Sequence, residues 1–338
     1  MTSREVLMID AEREIERIAH TIRTTVRQSV RRRGAVVGVS GGIDSAVCAA
    51  LCVRAFGSAN VLALLMPERD SSETSKRLGR ELAERFSIPC IEEDITPVLE
   101  GAGCYRRQLE AIRKVFPDYG EGWKNKVVLP SILDGDRLNV SRLTVQSPDG
   151  SFRTERLPMD EYLQLIAATN FKQRIRAMME YYHADRLNYA VCGTPNRLEY
   201  DQGFFVKGGD GLADFKPIAH LYKTQVYQLG AALGIPEGIL KRTPTTDTYS
   251  LEQTQEEFYF ALPYEKMDLC LYSYNNDVGP GEAAEALGLS SEQVLRVYRD
   301  IEAKRRATLA LHLPALTMEP VEPITSMIEE SKKAVFAS

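Results

Sequence analysis

The chain has 338 residues, 44% hydrophobic and 26% charged, with a formal net charge of −5. That balance suits a globular protein with a full core, and it excludes a disordered chain, a general nucleic-acid surface and, with no apolar run long enough to span a bilayer, a helical membrane protein. No basic and apolar leader pattern opens the sequence, so a cytoplasmic location is expected, and six cysteines without a C-x-x-C pair point to core thiols rather than to a zinc or redox site.

Ile15, Ile18, Ile22 and Val26 recur at helical spacing and predict an amphipathic helix over 9–30, with Asp10 as its N-cap and Arg31 to Arg33 as a solvated end. A strand over 35–39, a helix over 44–56, a strand over 61–66, a helix over 71–86 and a short strand over 90–93 follow. This alternation predicts an α/β fold, a doubly wound parallel sheet flanked by helices, whose ligands lie beyond the carboxyl ends of the strands. Residues 100–160 break the rhythm: 137–146 and 151–157 alternate around Ser147-Pro148-Asp149-Gly150 and predict an inserted β-hairpin. Helical pattern resumes over 159–183, then a strand over 187–192, a helix over 222–234 and a helical C-terminal third; the last dozen residues read as a tail. The expected organisation is one α/β domain over 1–310, with an insertion at about 100–160 and an extension over 311–338. No internal repeat or low-complexity tract interrupts it.

The strand over 35–39 ends in Gly38-Val39-Ser40-Gly41-Gly42-Ile43-Asp44-Ser45. Glycines without Cβ let backbone N–H groups close on a phosphate oxygen, and the following helix points its positive N-terminus into the same space. A nucleophile elbow also fits Gly38 to Gly42, yet no histidine sits in a late-loop context to serve as its base, and Asp44 and Ser45 would have no task. A P-loop requires a Lys that is missing here. An ordinary strand-to-helix turn is the plainer reading; phosphate binding is favoured by about three to one.

A second block, 170–247, supplies further polar chemistry. Asn170-Phe171-Lys172-Gln173-Arg174-Ile175-Arg176 lies on a helix, Gly193-Thr194-Pro195-Asn196-Arg197-Leu198-Glu199 follows a strand, and Gly203 to Asp214 is a Gly-rich loop with Phe204, Phe205, Lys207 and Asp210. Leu221 to Gln225 opens the next helix and Pro244-Thr245-Thr246-Asp247 closes the block. Together these offer cations for phosphates, a second carboxylate for a metal and aromatic faces for a planar ring. Taken singly, Glu199 and Lys223 read as surface charges and the phenylalanines as core; their joint spacing argues otherwise.

The turn resembles the Ser-Gly-Gly-x-Asp-Ser signature of the ATP pyrophosphatases, which cleave ATP between the α and β phosphates to adenylate a substrate. NAD, GMP and asparagine synthetases and several tRNA-modifying enzymes share it. With the 170–247 block, the order and spacing resemble the NAD synthetases over residues 10–95 and 165–310, and the lack of a glutamine-hydrolysing domain points to the ammonia-dependent type. The resemblance implies an adenine nucleotide alpha hydrolase-like fold, ATP as co-substrate, Mg²⁺, and amidation of nicotinic acid adenine dinucleotide (deamido-NAD) by ammonia through an acyl-adenylate. It implies ATP binding by Gly38, Ser40, Gly41, Gly42, Asp44, Ser45, Thr194, Lys223 and Thr245, with Asp44 and Glu199 as metal ligands. It further implies dinucleotide binding by Arg174, Phe204, Lys207, Asp214 and Lys304, with Asp44, Lys207 and Asp210 in the chemistry. A homodimer is expected, with ammonia supplied freely or by a separate glutaminase. Near the C-terminus Ala303 stands where the family commonly has His, and Pro195 where Asp or Gly is usual. Other readings are an amide-forming relative with a different acceptor carboxylate, a tRNA-modifying enzyme, disfavoured by acidic charge and unpaired cysteines, and a non-catalytic nucleotide sensor.

Overall fold

The strands of the computed structural model are, in chain order, β1 (Ala35–Gly38), β2 (Val61–Leu65), β3 (Cys90–Glu92), β4 (Lys124–Val128), β5 (Arg142–Gln146), β6 (Phe152–Arg156) and β7 (Ala190–Cys192). Residues 4–128, 141–245, 248–251, 253–254, 259–260 and 262–337 are described; the start of the expected hairpin at 137–140, and Thr246 and Asp247, lie outside them. Four strands form a parallel sheet in the order β3-β2-β1-β7. Both faces are covered, as parallel strands require. Period-two alternation splits each strand between two cores: Ala35 and Val37, Val61, Ala63 and Leu65, and Ala190 and Cys192 face one side, and Val36, Leu62, Leu64 and Val191 the other.

On the first side lie α1 (Ala11–Thr24), α2 (Ile43–Phe56) and α3 (Glu73–Arg85); on the second lie α4 (Thr96–Gly101), α5 (Cys104–Val115) and the long α6 (Met159–Leu187). Asp10 caps α1 as expected, accepting from Arg13 N at 3.1 Å. Beyond β7, α7 (Arg197–Gln202) leads to α8 (Lys223–Leu233) and α9 (Glu237–Leu240), which return to the first side. The helices α10 (Tyr264–Asn275), α11 (Pro280–Leu287) and α12 (Ser291–His312) bury a core of their own with Leu198 of α7. No helix among the described residues is long and apolar enough to cross a membrane.

Two expectations change in detail. The insertion is a three-stranded antiparallel sheet, β4-β5-β6, because β4 joins the hairpin with Val127 opposite Leu143. Val127 is the one buried residue of Lys124-Asn125-Lys126-Val127-Val128, so β4 carries no alternation to read. Most of the expected tail is helical, within α13 (Ile324–Ala337), whose Ile324, Met327 and Ile328 are exposed.

Candidate active site

The chemistry starts where β1 ends. Gly41 takes a positive φ of 74°, and a Cβ there would lie 2.6 Å from Ser75 O, so only glycine fits this turn. Ser45 pins the turn from inside: its Oγ accepts from Ser40 N at 3.2 Å and donates to Gly42 O at 3.0 Å. Gly42 is the N-cap of α2 and carries no side chain to satisfy the helix's first N–H groups. They and the dipole of a fourteen-residue helix face a cavity of about 710 Å³ lined by Gly38, Ser40, Gly42, Asp44 and Ser45.

Asn196 organises the carboxylates beside this turn. As N-cap of α7 it accepts from Glu199 N at 3.2 Å, and its own N donates to Glu199 Oε2 at 3.1 Å. Its Nδ2 also donates to Asp44 Oδ1 at 3.1 Å, so one buried residue orients both carboxylates, Asp44 through its side chain and Glu199 through its backbone N–H. Lys223, only 2% exposed, places its ammonium on Asp44 Oδ2; burial opposes the charge, but Asp44 and Glu199 outweigh it and raise the Lys223 pKa. Thr194 and Thr245 line the same end. Arg242, which the sequence reading missed, reaches Gly41 O at 3.4 Å, Ser75 Oγ at 2.9 Å and Thr245 Oγ1 at 3.3 Å. Its only signal was the pair Lys241-Arg242 ahead of Pro244.

The rest of the cavity wall comes from α6 and the loop after α7, with Arg174, Arg176, Phe204, Lys207 and Asp210 away from the turn and Glu180 reaching back toward Gly38. Arg174 Nε donates to Lys207 O at 3.3 Å, which ties these two cationic segments together. Lys207 Nζ rests on the C-terminal carbonyls of α12 and beyond, Ala310 O at 2.7 Å and Leu313 O at 3.1 Å. Phe204 stacks on Tyr259 with centroids 4.6 Å apart. Asp210 accepts from Val206 N at 2.7 Å, yet burial dominates and lifts its pKa to about 6.

Four expected residues sit elsewhere or are otherwise engaged. Asp214 is spent on the sheet edge, accepting from Val191 N at 2.7 Å and Tyr181 Oη at 3.4 Å, and it does not line the cavity. Lys304 does not line it either: its ammonium contacts Asp300 and Tyr259 O, each at 2.7 Å, and burial holds its pKa below the ordinary value. The Gly41 backbone shapes the turn without facing the cavity. Lys172, expected as a phosphate cation, is 1% exposed and held by Glu68 and Asp70, each at 2.8 Å, and by Thr248 O at 3.0 Å. A buried ammonium retains its charge only beside such partners. No group of three or more His, Cys, Asp or Glu side chains suited to a metal occurs among the described residues. Five of the six cysteines are buried, as expected of core thiols.

The family model described as NAD synthase matches residues 14–112 and 137–307, leaving an internal break at 113–136 that is narrower than the expected insertion. A protein of Mesorhizobium japonicum named NH(3)-dependent NAD(+) synthetase is 60% identical over 315 residues, covering 93% of this chain and 99% of that protein. One of the same name from Rhizobium rhizogenes is 57% identical over 319 residues, 94% and 96% of the two chains. Among solved structures, an NMN synthetase from Francisella tularensis shares the fold, with a TM-score of 0.62, 23% identity, and coverage of 93% of this chain and 100% of that one. The two matched stretches take in the phosphate turn, the Asn196 cap and the Gly203 to Asp214 loop, so the similarity runs through the walls of the cavity itself. The chain belongs to the NAD synthase family.

Proposed function

We propose that the chain amidates deamido-NAD to NAD with ammonia and ATP, releasing AMP and pyrophosphate. The observation that carries this reading is the two-ended cavity: an uncapped helix N-terminus with Asp44, Glu199 and Lys223 at one end, and Arg174, Lys207, Phe204 and Asp210 at the other. One continuous cavity joins the two sets of groups. The relatives' names supply ammonia and NAD.

In the first step the nicotinate carboxylate attacks the α phosphorus of ATP, and the bond to pyrophosphate breaks. Ser40 to Ser45 bind the phosphates, and Lys223 balances charge on the pyrophosphate side. In the second step ammonia attacks the acyl carbon, AMP leaves, and Asp210 accepts a proton from the nitrogen. Two carboxylates oriented by one residue and beside a phosphate turn fit Mg²⁺, which takes one or two carboxylates plus substrate phosphates. Asp44 and Glu199 would hold it, and the chemistry it would supply there is neutralisation of the departing pyrophosphate. Arg174 and Lys207 would take the dinucleotide phosphates.

The outer side of α6 leaves Met159, Leu163, Met178 and Tyr182 exposed as two i,i+4 apolar pairs, which supports a homodimer packed through this helix. The reaction is tested by isotope exchange between pyrophosphate and ATP: exchange dependent on deamido-NAD is expected, and ADP with phosphate as products would overturn the reading.

A further inference from the structure

Converting ammonium to an amide nitrogen sheds two protons, and Asp210 accounts for one. Glu180 stands where a second acceptor is needed. Its Oε1 lies 2.1 Å from the position a Cβ on Gly38 would occupy, so the glycine that ends β1 admits this carboxyl directly against the start of the phosphate turn. Glu180 lines the cavity and makes no hydrogen bond or ion pair among the described residues, unlike Asp214, Asp44 or Glu199. Half-buried, the carboxyl is left to meet whatever enters the cavity.

We infer that Glu180 is a second catalytic carboxylate, which binds ammonium at the junction of the two cavity ends and takes its first proton. This rests on the amidation reading above. Glu180 removes one proton from ammonium, and the freed lone pair forms the C–N bond at the acyl carbon. The tetrahedral nitrogen then gives its second proton to Asp210. The acyl oxygen re-forms its double bond, and the C–O bond to AMP breaks with the electron pair leaving on the phosphate oxygen. The charged and titratable groups around Glu180 are Arg176 and Tyr181 on α6, Asp210 on the facing loop and Cys192 on β7. Burial first, and then the Asp210 charge, push the Glu180 pKa up to about 8, against Arg176. A carboxyl lifted toward the acidity of ammonium exchanges a proton with it at little cost, as a general base requires.

The test compares two nucleophiles. Hydroxylamine is already unprotonated at neutral pH and needs no first proton removed, whereas ammonium does. In Glu180→Gln, kcat/KM for ammonia should fall by about 10²-fold or more, while the hydroxylamine reaction changes by less than about tenfold. The acid limb of the ammonia rate, which in the parent chain falls as pH drops through about 8, should lose that upper component. Equal loss with both nucleophiles, or none with either, overturns the proposal. Should Glu180→Gln misfold, Glu180→Asp carries the same comparison, and an ammonia-specific loss is again expected. Absence of deamido-NAD-dependent pyrophosphate exchange in the parent chain would instead overturn the amidation reading.

Discussion

Asn196 shows how one side chain can set a metal and phosphate end. Its Nδ2 holds the Asp44 carboxylate and its Oδ1 caps the backbone N of Glu199, so Asn196→Ala should free Asp44, loosen the first turn that carries Glu199, and weaken magnesium-dependent adenylation by about ten- to a hundredfold, the worth of one or two bonds to charged groups. Pyrophosphate exchange titrated with magnesium checks this, and an unchanged magnesium requirement would remove Asn196 from that role. Asp44→Asn should cost more, about 10²-fold or beyond in ATP cleavage, with the fold kept because Asp44 stands at the rim of the sheet. Residues of the turn were legible because chemistry there needs glycine and hydroxyls at fixed spacing. Arg242 and Glu180 were not, since each is an isolated charge whose meaning comes from the segment folded against it.

At the level of elements, βαβ alternation was readable because each buried strand announces itself by β-branched or aliphatic runs, while β4 offers a single buried valine. Lys172 illustrates the limit of a helical motif: cations two residues apart on α6 point to different faces, Arg174 toward the loop that carries Lys207 and Lys172 into a buried cluster that joins α6 to the loop after β2. Lys172→Met leaves Glu68, whose side chain is wholly buried, without its ammonium, and should lower the unfolding free energy by about 3–5 kcal/mol in urea titration. A loss below about 1 kcal/mol would mean that the cluster is not holding these elements together. Val127 and Ser141 bring one end of the β4-β5-β6 sheet to the cavity, whereas Pro148 to Gly150 turn at the far end of β5 and β6. Deleting that turn's three residues should therefore leave the acceptor KM within about twofold, since five strand residues separate it from the cavity by roughly 17 Å.

For the molecule as a whole, the exposed apolar pairs of α6 lead to a testable assembly: light scattering should give a dimer mass, and Met178→Lys with Tyr182→Lys should return a monomer. A concentration-independent monomer in the parent chain would contradict it. The measurement that bears most directly on function is amide formation by the purified chain given ammonia, ATP and magnesium, with deamido-NAD compared against the shorter nicotinate mononucleotide. NAD accumulating in step with AMP and pyrophosphate, with deamido-NAD preferred, is the expected result. Tight ATP binding with no NAD formed, or preference for the mononucleotide acid, would contradict the assignment of deamido-NAD as the acceptor.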